Sequence, residues 1–134
     1  MAITNDLREG NSVKHVWIMR KRYRPAAGAP KSSLVRADAI SYLSVRDNQV
    51  RASSAPGSDE IVVLADTQDG GHGAPELPED FHTDLLFAVA MARRDARDAT
   101  DDADEQDRIL LAQLEDGHWV WKMFRPSEPE PKPS

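Results

Sequence analysis

From Val13 the chain alternates in the manner of a strand, and the alternation changes character midway. In VKHVWIMRKRYR the first half is apolar on both faces, with Trp17, Ile18 and Met19 at its centre. The second half places Arg20, Arg22 and Arg24 on one face and Lys21 on the other. This predicts a strand anchored in the core at Trp17–Met19 that runs out into solvent with its arginines exposed. Pro25, Gly28 and Pro30 then make 25–32 a loop.

The next segment, SLVRADAISYLSVRDNQVRASS, places apolar residues poorly for a helix but well for short strands. Strands are expected near 33–37, 40–46 and 49–54, with Asp47-Asn48 as the turn between the last two. Ile61 to Ala65, IVVLA, is a continuous apolar run of strand length. The following DTQDGGHGAPELP contains enough glycine and proline to be a long loop.

Pro78, Glu79 and Asp80 suit a helix start, with proline in the first turn and carboxylates at the positive end of the dipole. A helix over 79–97 puts Phe81, Leu85, Ala88, Val89, Ala92 and Ala96 on one face. Leu86, Phe87, Ala90 and Met91 widen the apolar arc, which predicts that the middle of the helix is covered on more than one side.

In RILLAQLEDGHWVWKMFR, Asp116-Gly117 signals a two-residue hairpin turn. That turn sets Glu115 opposite His118, Leu114 opposite Trp119, Ala112 opposite Trp121 and Leu110 opposite Met123. Paired residues share a face, so Leu110, Ala112, Leu114, Trp119, Trp121 and Met123 form one apolar surface. A slip of one residue would scramble it, so turn and pattern support each other.

The expected fold is α+β: a mostly antiparallel sheet packed on one principal helix and closed by the C-terminal β-hairpin. Residues 1–12 read as a flexible arm, 13–125 as a single domain, and 126–134, PSEPEPKPS after Arg125, as a Pro-rich disordered tail that cannot pack.

Composition changes this picture little. A chain of 134 residues, 40% apolar and 30% charged, is one ordinary globular domain. The absence of cysteine excludes disulfides, thiolate metal sites and a cysteine nucleophile. The first residues lack the features of a signal peptide, and the longest apolar run, Leu85 to Ala92, is far below the ~20 residues that span a bilayer. The chain therefore reads as cytoplasmic, without a membrane partner.

Charge is more informative by position than in sum. The net charge is −6, yet no acid occurs from Gly10 to Ala37, where Lys14, Arg20, Lys21, Arg22, Arg24, Lys31 and Arg36 lie. From Asp95 to Asp107, seven acids face one arginine. The basic segment 14–36 suggests phosphate contacts by Arg20, Lys21, Arg22 and Arg24, with Trp17 or Tyr23 for stacking. Four such contacts give a salt slope of roughly −4, enough for modest affinity only, and no standard nucleic-acid signature accompanies them. The competing reading pairs these arginines with the acidic run.

Other chemistry is sparse. Asp66, Asp69, His72, His82 and Asp84 do not have the spacing of a calcium loop or a zinc site, so no metal or cofactor is expected. There is no phosphate loop or nucleophile elbow, and Glu115 with His118 beside a turn reads as a surface contact rather than an acid–base pair, so no catalytic residue is assigned. Trp119 and Trp121 share one face of a ribbon that must cover either the core or a partner. Apolar surface on the helix and hairpin exceeds what one layer hides. The expected function is therefore a small non-enzymatic protein–protein interaction or adaptor protein, self-association included. Arg20, Lys21, Arg22, Arg24, Trp119 and Trp121 are its candidate contact residues. A nucleic-acid-associated protein using 14–36 is the second reading, and an enzyme of unfamiliar type the third.

Overall fold

The computed structural model describes residues 14–22, 27–54, 60–99 and 105–132. Tyr23, Arg24, the arm at 1–12 and the acids at 101–104 lie outside the described residues. The chain is α+β, as the sequence predicts, but its strands divide between two sheets. The first four-stranded sheet contains β1 (Val16–Lys21), β2 (Ser32–Arg36), β6 (Arg108–Glu115) and β7 (His118–Phe124), in the order β2-β1-β6-β7. The second is the meander β3 (Tyr42–Arg46), β4 (Gln49–Ser53) and β5 (Val62–Asp66).

The division into two sheets refines the expected mostly antiparallel sheet, and its cause is the partner chosen by β1. This strand runs antiparallel to β2 on one side and parallel to β6 on the other, with Ile18 beside Leu110. With both edges of β1 occupied, β3–β5 pair among themselves. Strands buried on both faces are apolar on both faces, and that explains the unbroken VWIM of β1 and ILLA of β6.

Turn chemistry sets the local registers. Asp47 and Asn48 both take positive φ, as do Asp116 and Gly117, the geometry of the turn whose twist matches a hairpin. Glu115 faces His118, Leu114 faces Trp119 and Ala112 faces Trp121, as the sequence predicts, and the ladder extends to Ile109 opposite Phe124.

The principal helix, α1 (Phe81–Arg97), begins two residues later than expected, after Asp80. It buries Phe81, Leu85, Val89, Ala92 and Ala96. These meet Val16, Ile18 and Leu110 of the first sheet and Val50, Ala52, Leu64 and Ala65 of the second in one core, closed by Trp119. The C-terminal end of α1 is tied to the strand starts: Lys14 Nζ donates to the Ala96 carbonyl, and fully buried Arg108 donates through Nε to Asp95 at 2.7 Å.

The opposite face of the first sheet carries a smaller cluster of Ile109, Leu111 and Phe124, flanked by Trp17 and Met19. Residues after Arg125 lie along this face instead of standing free. Ser127 N donates to Gln106, Glu130 pairs with Lys21, and the Pro131 carbonyl accepts from the Gln113 side chain. The segment turns at Arg125–Glu128, where Glu128 N donates to the Arg125 carbonyl, before its later residues reach the sheet. A tail described as unable to pack is therefore corrected for 126–132.

Candidate functional site

Three places in this fold bring together residues that the sequence singles out. The first is the far end of β1. Val16, Ile18 and Arg20 occupy the interior side of the strand, so Arg20 points inward at 7% exposure. This corrects the expectation that Arg20, Arg22 and Arg24 share one exposed face. The compensation is local: the Arg20 guanidinium pairs through Nη1 with Asp69. Its Nε has no hydrogen-bond partner among the described residues, and burial pulls the Arg20 pKa downward, with Arg22 nearby adding to the shift.

The loop after β5 is built to deliver that carboxylate. Asp66 caps the short 3-10 turn Thr67–Gly70 by accepting from Gln68 N at 2.9 Å, and the Asp69 carboxylate reaches back to the Asp66 amide at 3.1 Å. Gln49 holds the other Asp66 oxygen at 2.8 Å. Gly70 is packed so tightly that an added Cβ would sit 2.8 Å from both Ala74 and Leu114. Arg20, Arg22, Asp66, Asp69 and His72 then line an open polar cavity of about 610 Å³. Its two carboxylates, Asp66 and Asp69, are engaged by the loop, by Gln49 and by Arg20.

Arg20 is buried and paired, Lys21 pairs with Glu130, and Arg22 is the exposed cation of the three without an ion pair among the described residues. The described acids at the two ends of the acidic run have other partners. Asp95 pairs with Arg108 and Arg125, and Asp107 accepts from the His15 amide and the Trp17 indole, each at 2.9 Å.

The hairpin tryptophans are the second place, and both turn toward the helix. Trp119 donates its indole N–H to the Pro75 carbonyl at 2.8 Å, and Trp121 donates to the Phe81 carbonyl at 3.1 Å. Phe81 stacks on Trp121 with centroids 4.8 Å apart and meets Trp119 edge-on at 6.4 Å. At the hairpin tip Glu115 pairs with Lys122, leaving His118 exposed beside it.

The third place is the outward side of α1, whose wide apolar arc the sequence shows but whose residues are not among the candidate contacts. Leu86, Phe87 and Met91 are 60%, 68% and 61% exposed, and Ala90 between them is exposed too. This corrects the expectation that the middle of the helix is covered on more than one side. The hairpin forms one side of the first sheet, and among the described residues this side of the helix is left exposed. The apolar arc continues from Leu86 into a cleft of about 690 Å³ between α1 and β3, whose walls include Ile40, Tyr42, Leu43 and Leu85. A contiguous apolar surface rimmed by charge is what association surfaces present.

Comparison of the chain with protein-family models, with curated proteins and with solved structures finds no match. The outward face of α1 and the β1 end must therefore be weighed on their geometry. Among the described residues no group of three or more histidine or carboxylate side chains is placed to hold a metal ion, and no helix is long and apolar enough to cross a membrane. The signal for the α1 face was present in the sequence as an apolar arc too wide for one sheet to cover. Which side would stay open depends on where the hairpin docks.

Proposed function

We propose that this chain is a non-enzymatic protein–protein interaction module that docks through the outward face of α1. The observation that carries the reading is the exposure of Leu86, Phe87 and Met91 on a helix whose other side is fully committed to the core. Helices offer such anchors at one-turn spacing, and aromatic side chains contribute disproportionately to binding. Apolar surface of this kind costs solubility when left in water, so its retention in a charged, acidic chain favours a partner. The enzyme reading finds no support in the β1-end cavity, where each carboxylate holds structure.

A photo-crosslinking amino acid in place of Phe87 tests this, with the same group in place of Leu34 on β2 as an exposed control. Protein adducts are expected from position 87 and lost when Met91→Glu is added. Adducts no more abundant at 87 than at 34 would overturn the assignment of this face.

A further inference from the structure

We infer that the partner of the α1 face is a second copy of this chain, docked with the two helices antiparallel; the inference rests on the reading of α1 as the docking surface. What selects the occupant is the distribution of charge around the apolar stripe. Asp80 and Asp84 lie at the N-terminal end of the helix, Leu86, Phe87, Ala90 and Met91 in its middle, and Arg94 and Arg97 at its C-terminal end. At 100° per residue, Asp80, Asp84, Phe87, Ala90, Met91, Arg94 and Arg97 fall within one arc of roughly 140°. Acids thus lie at one end of the exposed stripe, and Arg94 and Arg97, with the cap residue Asp98 beside Arg97, at the other.

That arrangement is self-complementary under a two-fold axis and under no parallel stacking. A two-fold contact places the same patch on both copies, so a residue at one end of the helix meets a residue at the other end of the partner helix. With Phe87 of one copy beside Ala90 and Met91 of the other, Asp84 comes level with Arg93 and Arg94, and Asp80 with Arg97. A parallel pair would instead set acid against acid and base against base. The same polarity also complements the helix dipole of a single chain, but the dipole acts on the ends wherever they face. It does not require the charges to flank an apolar stripe.

The charges are available. Among the described residues Asp84 and Arg94 make no ion pair, and Arg97 reaches only its neighbour Asp98 at 3.8 Å, both exposed. Docking would bury Phe87 against the partner's Ala90, a small residue that lets the helices approach. Leu86 would be left at the mouth of the cleft beside Tyr42.

Sedimentation velocity on the full chain from about 5 to 500 µM tests the inference with variants chosen on the exposed face. The wild type is expected to shift from monomer to dimer across this range, and Phe87→Glu to remain monomeric. Asp84→Arg and Arg94→Asp should each weaken dimerisation by roughly tenfold, since each turns two symmetric attractions into repulsions. An equimolar mixture of these two variants should recover a heterodimer, because both contacts between positions 84 and 94 again join opposite charges. The double variant D84R/R94D should recover the homodimer although its charges oppose the helix dipole. A circular-dichroism melt confirms that each variant is folded. A wild type that stays monomeric, or a mixture no tighter than either single variant, would overturn the inference. A monomeric wild type that still crosslinks to a different protein through position 87 overturns the second copy as partner while leaving the docking face standing. A dimer indifferent to Phe87→Glu overturns both.

Discussion

Arg20 and Asp69 close on each other where β1 leaves the core, and each accounts for the other's position. Arg20 lies on the interior side of its strand, where a charge is tolerated only if paired. Asp69 is delivered by a capped turn whose only other evident task is to connect β5 to the long loop. The pair locks the start of that loop against the first sheet, and so sets the path of the chain toward α1.

Breaking this pair from its two sides should have unequal effects. Asp69→Ala leaves a buried guanidinium uncompensated and removes the acceptor of the Asp66 amide, at an expected cost of about 3–5 kcal/mol. Arg20→Met leaves a carboxylate that still caps the turn, and should cost less. The variant lacking both should be more stable than Asp69→Ala alone. Urea denaturation of the four proteins gives the comparison, and strictly additive costs would mean that the two residues do not act as a pair.

Gly70 should tolerate no side chain. Its missing Cβ leaves room for Ala74, Leu114 and the Trp119 ring, at 2.8, 2.8 and 3.0 Å from where that atom would sit. Gly70→Ala should therefore destabilise by about 1–3 kcal/mol through overpacking. Adding Leu114→Val, which removes the obstructing Cδ1, should return part of the loss. Thermal melts followed by circular dichroism decide it, and an unshifted midpoint for Gly70→Ala would show that the turn relaxes freely.

How much of this was legible in the sequence depends on the range of the interaction responsible. The Asp116-Gly117 turn and the alternation on either side of it specify the hairpin register without outside help. The inner face of α1 follows equally from spacing. The β1–β6 pairing does not, because parallel strands have no turn between them to announce the partnership. Arg20 was misplaced for a related reason. Alternation puts it on the same side as Ile18, yet its charge argues for solvent, and the carboxylate that reverses the argument lies 49 positions downstream. The width of the apolar arc on α1 was legible, but which part of it stays exposed was not, because exposure is a property of what the other elements leave uncovered.

Acid should weaken the fold partly through Asp107. Burial raises the pKa of its carboxyl, but hydrogen bonds from the His15 amide and the Trp17 indole outweigh that and hold it below the ordinary value. A group with a depressed folded-state pKa stabilises the protein above its unfolded value, near 3.9, and loses that contribution as pH falls through the folded value. Asp107→Asn should thus be less stable than wild type at pH 6, and the gap should narrow as pH falls below about 4. Urea midpoints at pH 6, 4 and 3 measure it; a gap unchanged over that range would remove the ionised carboxylate from the account.

Phe81 carries the junction between α1 and the hairpin, and its truncation should be the most damaging apolar substitution in the chain. Its ring is fully buried, stacked on Trp121 and edge-on to Trp119, while its own carbonyl accepts the Trp121 indole N–H. The backbone bond survives any side-chain change, so substitution isolates the ring's share. Phe81→Ala should cost about 3–5 kcal/mol from lost burial and the cavity left behind. Phe81→Leu retains most of the volume but loses both ring contacts, and should cost roughly 1–2 kcal/mol. Tryptophan emission should shift to the red in Phe81→Ala as water reaches Trp121. Equal costs for Leu and Ala would place the effect in the aromatic contacts, and a cost below about 1 kcal/mol for Ala would show that the helix and hairpin are held together elsewhere.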